Sequence, residues 1–202
     1  MSDIWIGIQA RSESTRLPGK IYMDIGGKSI LERIYETCEQ VTKNVVVLGH
    51  DRDSELIQYC NINKLTVFTV NKDEDDVASR YECFRDCSGA SGIIRVTADC
   101  PFLSRMYLNE VYEWATGYHA VFCDIEGSEA EYMSSGAIDT LVNLTPEDKE
   151  HVTTSIKRNK GKYLMKWIHA DLPMIKKLSV DTQEDLDNAR KLWEEMNAMD
   201  KC

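Results

Sequence analysis

Three cations, Arg11, Arg16 and Lys20, punctuate the stretch Gln9-Ala10-Arg11-Ser12-Glu13-Ser14-Thr15-Arg16-Leu17-Pro18-Gly19-Lys20. Pro18-Gly19 forces a turn. Backbone N–H groups and cations gathered round a turn make a concavity suited to phosphate. The same composition also describes a solvated surface loop whose charges face water. Two aspartates offer a second kind of chemistry. Asp99 follows Arg95-Val96-Thr97-Ala98, and Asp181 follows Leu178-Ser179-Val180. Carboxylate oxygens are natural ligands of Mg2+, which takes one or two of them with water and phosphate oxygens. A strand-end aspartate can equally cap the turn after its strand.

The elements that must hold these residues alternate along the chain. Ile4-Trp5-Ile6-Gly7-Ile8 reads as a buried strand leading into the cationic loop. Ile21 to Ile25 reads as short and extended. Ser29 and Glu32 then have capping-box spacing, and Ile30, Leu31, Ile34, Tyr35 and Cys38 mark one face of a helix. Further strands are predicted at 45–48, 65–69, 92–97 and 119–123, with helices at 54–60, 78–87 and 104–115. Regularity weakens from Asp124 to Ser135. Thr145-Pro146-Glu147-Asp148 has the hydroxyl cap, N1 proline and acidic first turn of a helix predicted to run to about Arg158. Tyr163 to His169 and Met174 to Val180 read as two strands joined at Asp171-Leu172-Pro173. Thr182-Gln183-Glu184-Asp185 opens a last helix with Leu186, Ala189, Trp193 and Met196 on its apolar face. Such alternation argues a largely parallel α/β sheet, whose ligands sit beyond the carboxyl ends of the strands. The cationic loop and Asp99 both fall there.

The chain has 202 residues, 43% of them hydrophobic, which suits one domain with a real core. No apolar run approaches the roughly 18 residues of a membrane span. Met1-Ser2-Asp3 lacks the layout of a signal peptide, so a cytoplasmic location is expected. Lys and Arg number 24 against 34 Asp and Glu, a net charge of −10, which disfavours a general nucleic-acid binder. Between Arg11 and Lys28 the balance inverts, with Arg11, Arg16, Lys20 and Lys28 against Glu13 and Asp24. The seven cysteines form no C-x-x-C pair and are expected to be reduced, with Cys100 as packing material. Gly26-Gly27-Lys28-Ser29 is not a phosphate loop of the Walker type, because Tyr22 stands where that motif needs glycine.

The wording A-R-x-x-S-T-R-L-P-G-K after a first strand resembles the nucleotide-binding loop of the cytidylyltransferases. These include the enzymes that make CMP-activated sugar acids and the spore-coat polysaccharide type. T-A-D-C-P-F around Asp99 and S-V-D-T-x-E-D-L around Asp181 resemble the two metal-aspartate motifs of the latter type, so the likeness runs through nearly the whole chain. The resemblance implies an α/β fold, a three-layer sandwich around a mostly parallel mixed sheet, Rossmann-like and of the nucleotidyltransferase (nucleotide-diphospho-sugar transferase) type. It implies a nucleotide-binding half at about 1–123, an acceptor-facing portion at about 124–180 and a closing helix at 181–202. Arg11, Lys20, Asp99 and Asp181 are the implied catalytic set, with Asp99 and Asp181 holding Mg2+. Gln9, Ala10, Arg11, Ser12, Thr15, Arg16 and Lys20 are the implied nucleotide-binding residues of the loop. Asp76, Ser79 and Arg80 join them, because Asp76-Val77-Ala78-Ser79-Arg80-Tyr81 resembles a D-V-L-x-R-[FY] segment near the base. Glu150-His151-Val152-Thr153 resembles an E-H-V-T motif at the acceptor, which implicates His151. Gly127-Ser128-Glu129-Ala130-Glu131 resembles an acceptor-facing G-x-D-x-E stretch, with Glu129 in place of the aspartate, which implicates Glu131.

The implied reaction is attack of an acceptor oxygen on the α-phosphorus of CTP, with release of pyrophosphate. The acceptor would be a sugar-acid hydroxyl or a small phosphate, no membrane or nucleic acid would be involved, and a homodimer is allowed. Phosphoryl-type transfer needs positioning and charge neutralisation more than covalent catalysis. Two other readings compete. A glycosyltransferase of similar fold would use a D-x-D motif, a form that Asp51-Arg52-Asp53 has. A non-catalytic nucleotide-binding protein could have kept the fold.

Overall fold

The computed structural model describes residues 3–73, 75–125, 129–141, 144–169 and 178–199. Among them, seven strands form one sheet in the order β5-β4-β1-β6-β8-β7-β9: β1 Ile4–Gln9, β4 Val45–His50, β5 Val67–Val70, β6 Gly92–Thr97, β7 Ala120–Cys123, β8 Ala130–Ser134 and β9 Met165–Ile168. The pairs β1–β4, β1–β6, β4–β5 and β7–β9 are parallel, and only β8 runs against its neighbours. The mixed, mostly parallel sheet expected from the sequence is therefore present. β2 Asp24–Ile25 and β3 Lys28–Ser29 form a separate small hairpin.

Alternate side chains of each strand serve two cores, as the pleat requires. Ile4, Ile6, Ile8, Val45 and Val47 pack on α1 (Ile30–Glu39), α2 (Ser54–Ile62), α4 (Arg105–Trp114) and α8 (Gln183–Met199). Val46, Leu48, Ile93, Phe122 and Met133 pack on the other side with α3 (Val77–Ser88), α5 (Ser135–Ile138) and α7 (Thr154–Arg158). Three layers result. Gly7 lets α3 come close: a Cβ there would lie 2.8 Å from Leu48 Cδ1 and 3.2 Å from Tyr81 Cε1. The capping box of α1 forms as expected, with Ser29 Oγ accepting from the Glu32 N–H and the Glu32 carboxylate accepting from the Ser29 N–H.

Three expectations are corrected. The stretch 124–135, read as irregular, contains β8, an interior strand of the sheet between β6 and β7. The helix predicted over 145–158 is two, α6 (Pro146–Glu150) and α7, parted at His151–Thr153 where His151 leaves helical geometry with ψ 51°. Residues 21–25 open with a 3-10 turn over Lys20–Tyr22 before β2 begins. The predicted turn at 171–173 and most of the strand at 174–180 lie outside the described residues. Among the described residues, no helix is long and apolar enough to cross a membrane.

β1 is flanked by β4 on one side and β6 on the other, so the connections reverse direction there. In such sheets the crevice at the carboxyl ends of those strands is where ligands bind. Gln9 and Thr97 are paired at that end.

Candidate active site

The loop after β1 is folded round one aspartate. Asp53 accepts the Ser12 N–H at 2.8 Å and the Ser12 hydroxyl at 2.5 Å, and caps α2 through the Leu56 N–H at 3.0 Å. The Ser12 hydroxyl also lies 2.5 Å from the Tyr22 hydroxyl, whose pKa burial raises despite that contact. The Gly19 N–H returns to the Ser12 carbonyl at 2.9 Å, with Gly19 in the left-handed region at φ 68°. A left-handed residue at that point favours glycine. Pro18-Gly19 thus closes the loop into a small ring and aims Arg11, Arg16 and Lys20 at the strand ends.

Lys20 reaches furthest. Its Nζ donates to the Val180 carbonyl at 2.7 Å and lies 3.1 Å from Asp181 Oδ1 and 3.2 Å from Asp99 Oδ2. The Val180 N–H donates in turn to the Asp99 carbonyl at 2.8 Å. Two carboxylates distant in sequence are so brought onto one point, which holds a cation. Arg16, whose side chain is 63% exposed, pairs with Asp181 at 3.0 Å. Arg11 has no ion-pair partner among the described residues and stands at the mouth of the cleft.

That cleft measures about 210 Å³ and is lined by Gln9, Ala10, Arg11, Thr15, Arg16, Lys20, Arg80, Asp99 and Asp181, with Thr97, Glu150 and others. It gathers most of the residues implicated from sequence. Arg80 is 3% exposed and reaches it from the first turns of α3. Ser12, Asp76 and Ser79 are not among the lining residues. Asp76 caps α3 by accepting the Ser79 N–H at 3.1 Å, and it holds Lys149 at 2.6 Å, while the Ser79 hydroxyl donates to the Asp76 carbonyl. These three residues build the walls on which Arg11 and Arg80 are mounted.

Glu131 and His151 also lie outside the lining. Glu131 is buried on β8 and its oxygens take the Arg95 guanidinium at 2.6 Å, the Thr153 hydroxyl at 2.9 Å and Lys157 Nζ at 2.5 Å. Burial alone would push this carboxyl up, but Arg95 and Lys157 outweigh it and hold it below its ordinary value. His151 is exposed at the break between α6 and α7. Its neighbour Glu150, not singled out from sequence, does line the cleft. Arg95 was also missed; a lone cation inside the apolar strand Gly92–Thr97 was the available signal.

The chemistry of the two aspartates is compatible with a divalent cation. They offer hard oxygen donors and already share one cationic group between them. Among the described residues no group of three or more His, Cys, Asp or Glu could hold a metal. Mg2+ characteristically completes its shell with water and substrate phosphates rather than with a full protein cage. Asp53, the second member of the D-x-D sequence, is engaged by Ser12 and Leu56 instead, and this removes the motif on which a glycosyltransferase reading would stand. Cys100 is buried, and burial together with Asp99 and Glu129 beside it raises its thiol well above the ordinary value. That environment suits packing and not nucleophilic attack.

A model of the cytidylyltransferase family matches residues 6–201. The spore coat polysaccharide biosynthesis protein SpsF of Bacillus subtilis is 25% identical over 211 residues, which cover 96% of this chain and 88% of that protein. Among solved structures, a cytidylyltransferase from Leptospira borgpetersenii superposes with a TM-score of 0.85 at 24% identity, over 94% of this chain and 86% of the other. A CMP:2-keto-3-deoxy-manno-octonic acid synthetase complexed with CTP superposes with a TM-score of 0.76 at 18% identity, over 96% and 100%.

Proposed function

The chain belongs to the cytidylyltransferase family, and from that premise we propose that it transfers CMP from CTP to a small acceptor, releasing pyrophosphate, in the making of a surface polysaccharide or related glycoconjugate. The observation that carries the reading is the ammonium of Lys20 shared by Asp99 and Asp181 beside a loop that also presents Arg11. Similarity to SpsF motivates the glycoconjugate setting, and the CTP complex of the sugar-acid synthetase motivates the nucleotide. A sugar acid or a small phosphorylated compound is the acceptor class we favour.

In the reaction, an acceptor oxygen forms a bond to the α-phosphorus while the bond from that phosphorus to the bridging oxygen breaks. The electron pair leaves with pyrophosphate. Arg11, exposed and with a planar fork, suits two phosphate oxygens, while Lys20 acts as a point charge. Both neutralise the charge that collects on the leaving group. Asp99 and Asp181 would hold Mg2+, which when bound supplies Lewis-acid stabilisation at the phosphate oxygens. Arg80 and Gln9, on the wall and floor, fix the nucleotide between the loop and α3. A phosphate acceptor is already an anion and needs no base; a hydroxyl acceptor must surrender its proton. His151 and the neighbouring Glu150 lie on the side we assign to the acceptor, and the protein would work in the cytoplasm, where CTP is made.

The test is thermal-shift titration with CTP, UTP, ATP and GTP in the presence of Mg2+, followed by an acceptor screen read by pyrophosphate release. Saturation at about 100 times Kd stabilises by about 2.7 kcal/mol. A CTP-specific shift and acceptor-dependent pyrophosphate support the reading; equal shifts for all four nucleotides, or none, overturn it. His151→Ala should bind CTP with native affinity and alter only the acceptor KM or kcat.

A further inference from the structure

The floor of the cleft carries an arrangement that neither the phosphate loop nor the two aspartates use. Arg95 Nε donates to Gln9 Oε1 at 2.9 Å, and Arg95 Nη1 donates to Glu131 Oε2 at 2.6 Å. The other Glu131 oxygen is held by Thr153 and Lys157. A chain of fixed groups thus runs from α7 through β8 and β6 to the end of β1. An arginine N–H can only donate, so the Gln9 atom that faces it must be the amide oxygen. The Gln9 NH2 group is therefore turned away from Arg95. Among the described residues it has no protein acceptor, and Gln9 lines the cleft near Thr97, Ala98 and Asp99.

We propose that Arg95, anchored by Glu131, is a positioning residue that locks the Gln9 amide so that its NH2 group donates to an oxygen of the substrate. An unrestrained glutamine would offer the cleft its oxygen and its NH2 group interchangeably, and only the second attracts an electron-rich oxygen. Donation from a guanidinium to the amide oxygen also polarises the amide and strengthens its N–H donors. Glu131 is needed because an arginine buried here without a carboxylate would be an uncompensated charge. The oxygen that Gln9 meets belongs either to the nucleotide or to the acceptor. Both present phosphate, hydroxyl or carboxylate oxygens, and the experiment separates them. The inference rests on the cleft being the nucleotide site.

The full-length protein is compared with Gln9→Glu, Gln9→Met, Arg95→Lys and the Gln9→Met/Arg95→Lys double variant. Titration calorimetry with CTP and Mg2+ gives the nucleotide affinity, steady-state pyrophosphate release gives the acceptor KM, and melting curves report the fold. Gln9→Glu keeps a partner for Arg95 but has no N–H to donate. It should melt normally and weaken one of the two affinities by at least about tenfold. Loss in CTP affinity assigns the contact to the nucleotide; loss confined to acceptor KM assigns it to the acceptor. Arg95→Lys retains a charge for Glu131 but lacks the fork that reaches Gln9. It should weaken the same affinity by about three- to tenfold, and should add nothing once Gln9 is methionine, because the two then act as one unit. Unchanged affinities in Gln9→Glu, or additive losses in the double variant, overturn the proposal. If the unaltered protein itself bound no CTP, the functional reading would fall as well, so the two failures are distinct.

Discussion

Asp99 and Asp181 meet through a single lysine, whose Nζ stands 3.2 Å from one carboxylate and 3.1 Å from the other. The Val180 N–H on the Asp99 carbonyl, at 2.8 Å, fixes the backbones that carry them. The geometry makes Lys20 a cation of the same site as the aspartates, and several expectations follow from its contacts and from those around it.

Lys20→Ala should lower CTP-dependent turnover by at least about tenfold, since a charge-assisted contact is worth roughly 1.5–3 kcal/mol. Arg16→Ala should do less. Its side chain is 63% exposed, and exposed pairs typically contribute only about 0–1 kcal/mol. Steady-state kinetics at saturating acceptor compares them directly, and a dispensable Lys20 beside a critical Arg16 would reverse the assignment.

Asn at position 99 or 181 keeps the shape and removes a charge. Each single variant should lose most turnover and require more Mg2+. Residues acting as a unit are not additive, so the double variant should be little worse than the worse single one. Manganese binding followed by electron paramagnetic resonance, with CTP present, provides a readout independent of turnover. Losses that multiply would mean two separate roles.

Acid unfolding should reveal Glu131. Its carboxyl is held below its ordinary 4.5 in the folded protein, where Arg95 and Lys157 outweigh burial. The unfolded chain therefore takes up the proton first as pH falls. The stabilisation is complete at neutral pH and disappears below about 4.5, through the folded-state value. Glu131→Gln should cost on the order of 3 kcal/mol at pH 7, as breaking a buried pair does, and the gap from the unaltered protein should close in acid. Urea melts at a series of pH values measure it; a gap constant with pH would count against the assignment.

Gly26→Ala tests how α8 is attached. Gly26 has φ 63°, and a Cβ there would lie 1.9 Å from Trp193 Nε1. Arg33 lies over that indole at 3.6 Å and donates to the Ile25 and Gly26 carbonyls. Overpacking of this kind costs about 1–3 kcal/mol, so the thermal midpoint should drop by several degrees. An unshifted midpoint would show that Trp193 is not wedged there.

The strands of the sheet and the turn of the cationic loop are legible because each is written locally. Ile4 to Ile8 and Pro18-Gly19 need only their neighbours to be read. Asp99 and Asp181, each of which could equally cap a turn, are joined in sequence only by the resemblance of their motifs. β8 is not legible, because its inward-facing side includes Glu131 and a carboxylate inside a sheet contradicts the usual pattern. Its partners, Arg95 and Lys157, lie on other elements, and no local pattern joins them. The break at His151–Thr153 hides for a related reason: Thr153 turns inward to Glu131, whereas the sequence there reads as a continuing helix. In sequence Asp53 reads as part of a D-x-D form, and Asp76 as part of a segment that the resemblance sets near the base. Only the fold shows that they cap α2 and α3 and brace the cleft from behind.

The hydrogen bond from Val180 to Asp99 has a consequence for the order in which the protein comes into being. A ribosome delivers the chain from its N-terminus, and folded units can form as they emerge. The cationic loop, β1, β4, β5 and β6 are all made before Asp181 exists. A nascent chain at that stage has Lys20 and Asp99 but lacks the second carboxylate and the clasp that aligns it. The contact that joins Lys20 to both carboxylates is therefore incomplete until translation has passed residue 181 and α8 has docked. The cationic loop can fold early in synthesis, but the cluster it joins closes only once residue 181 has emerged.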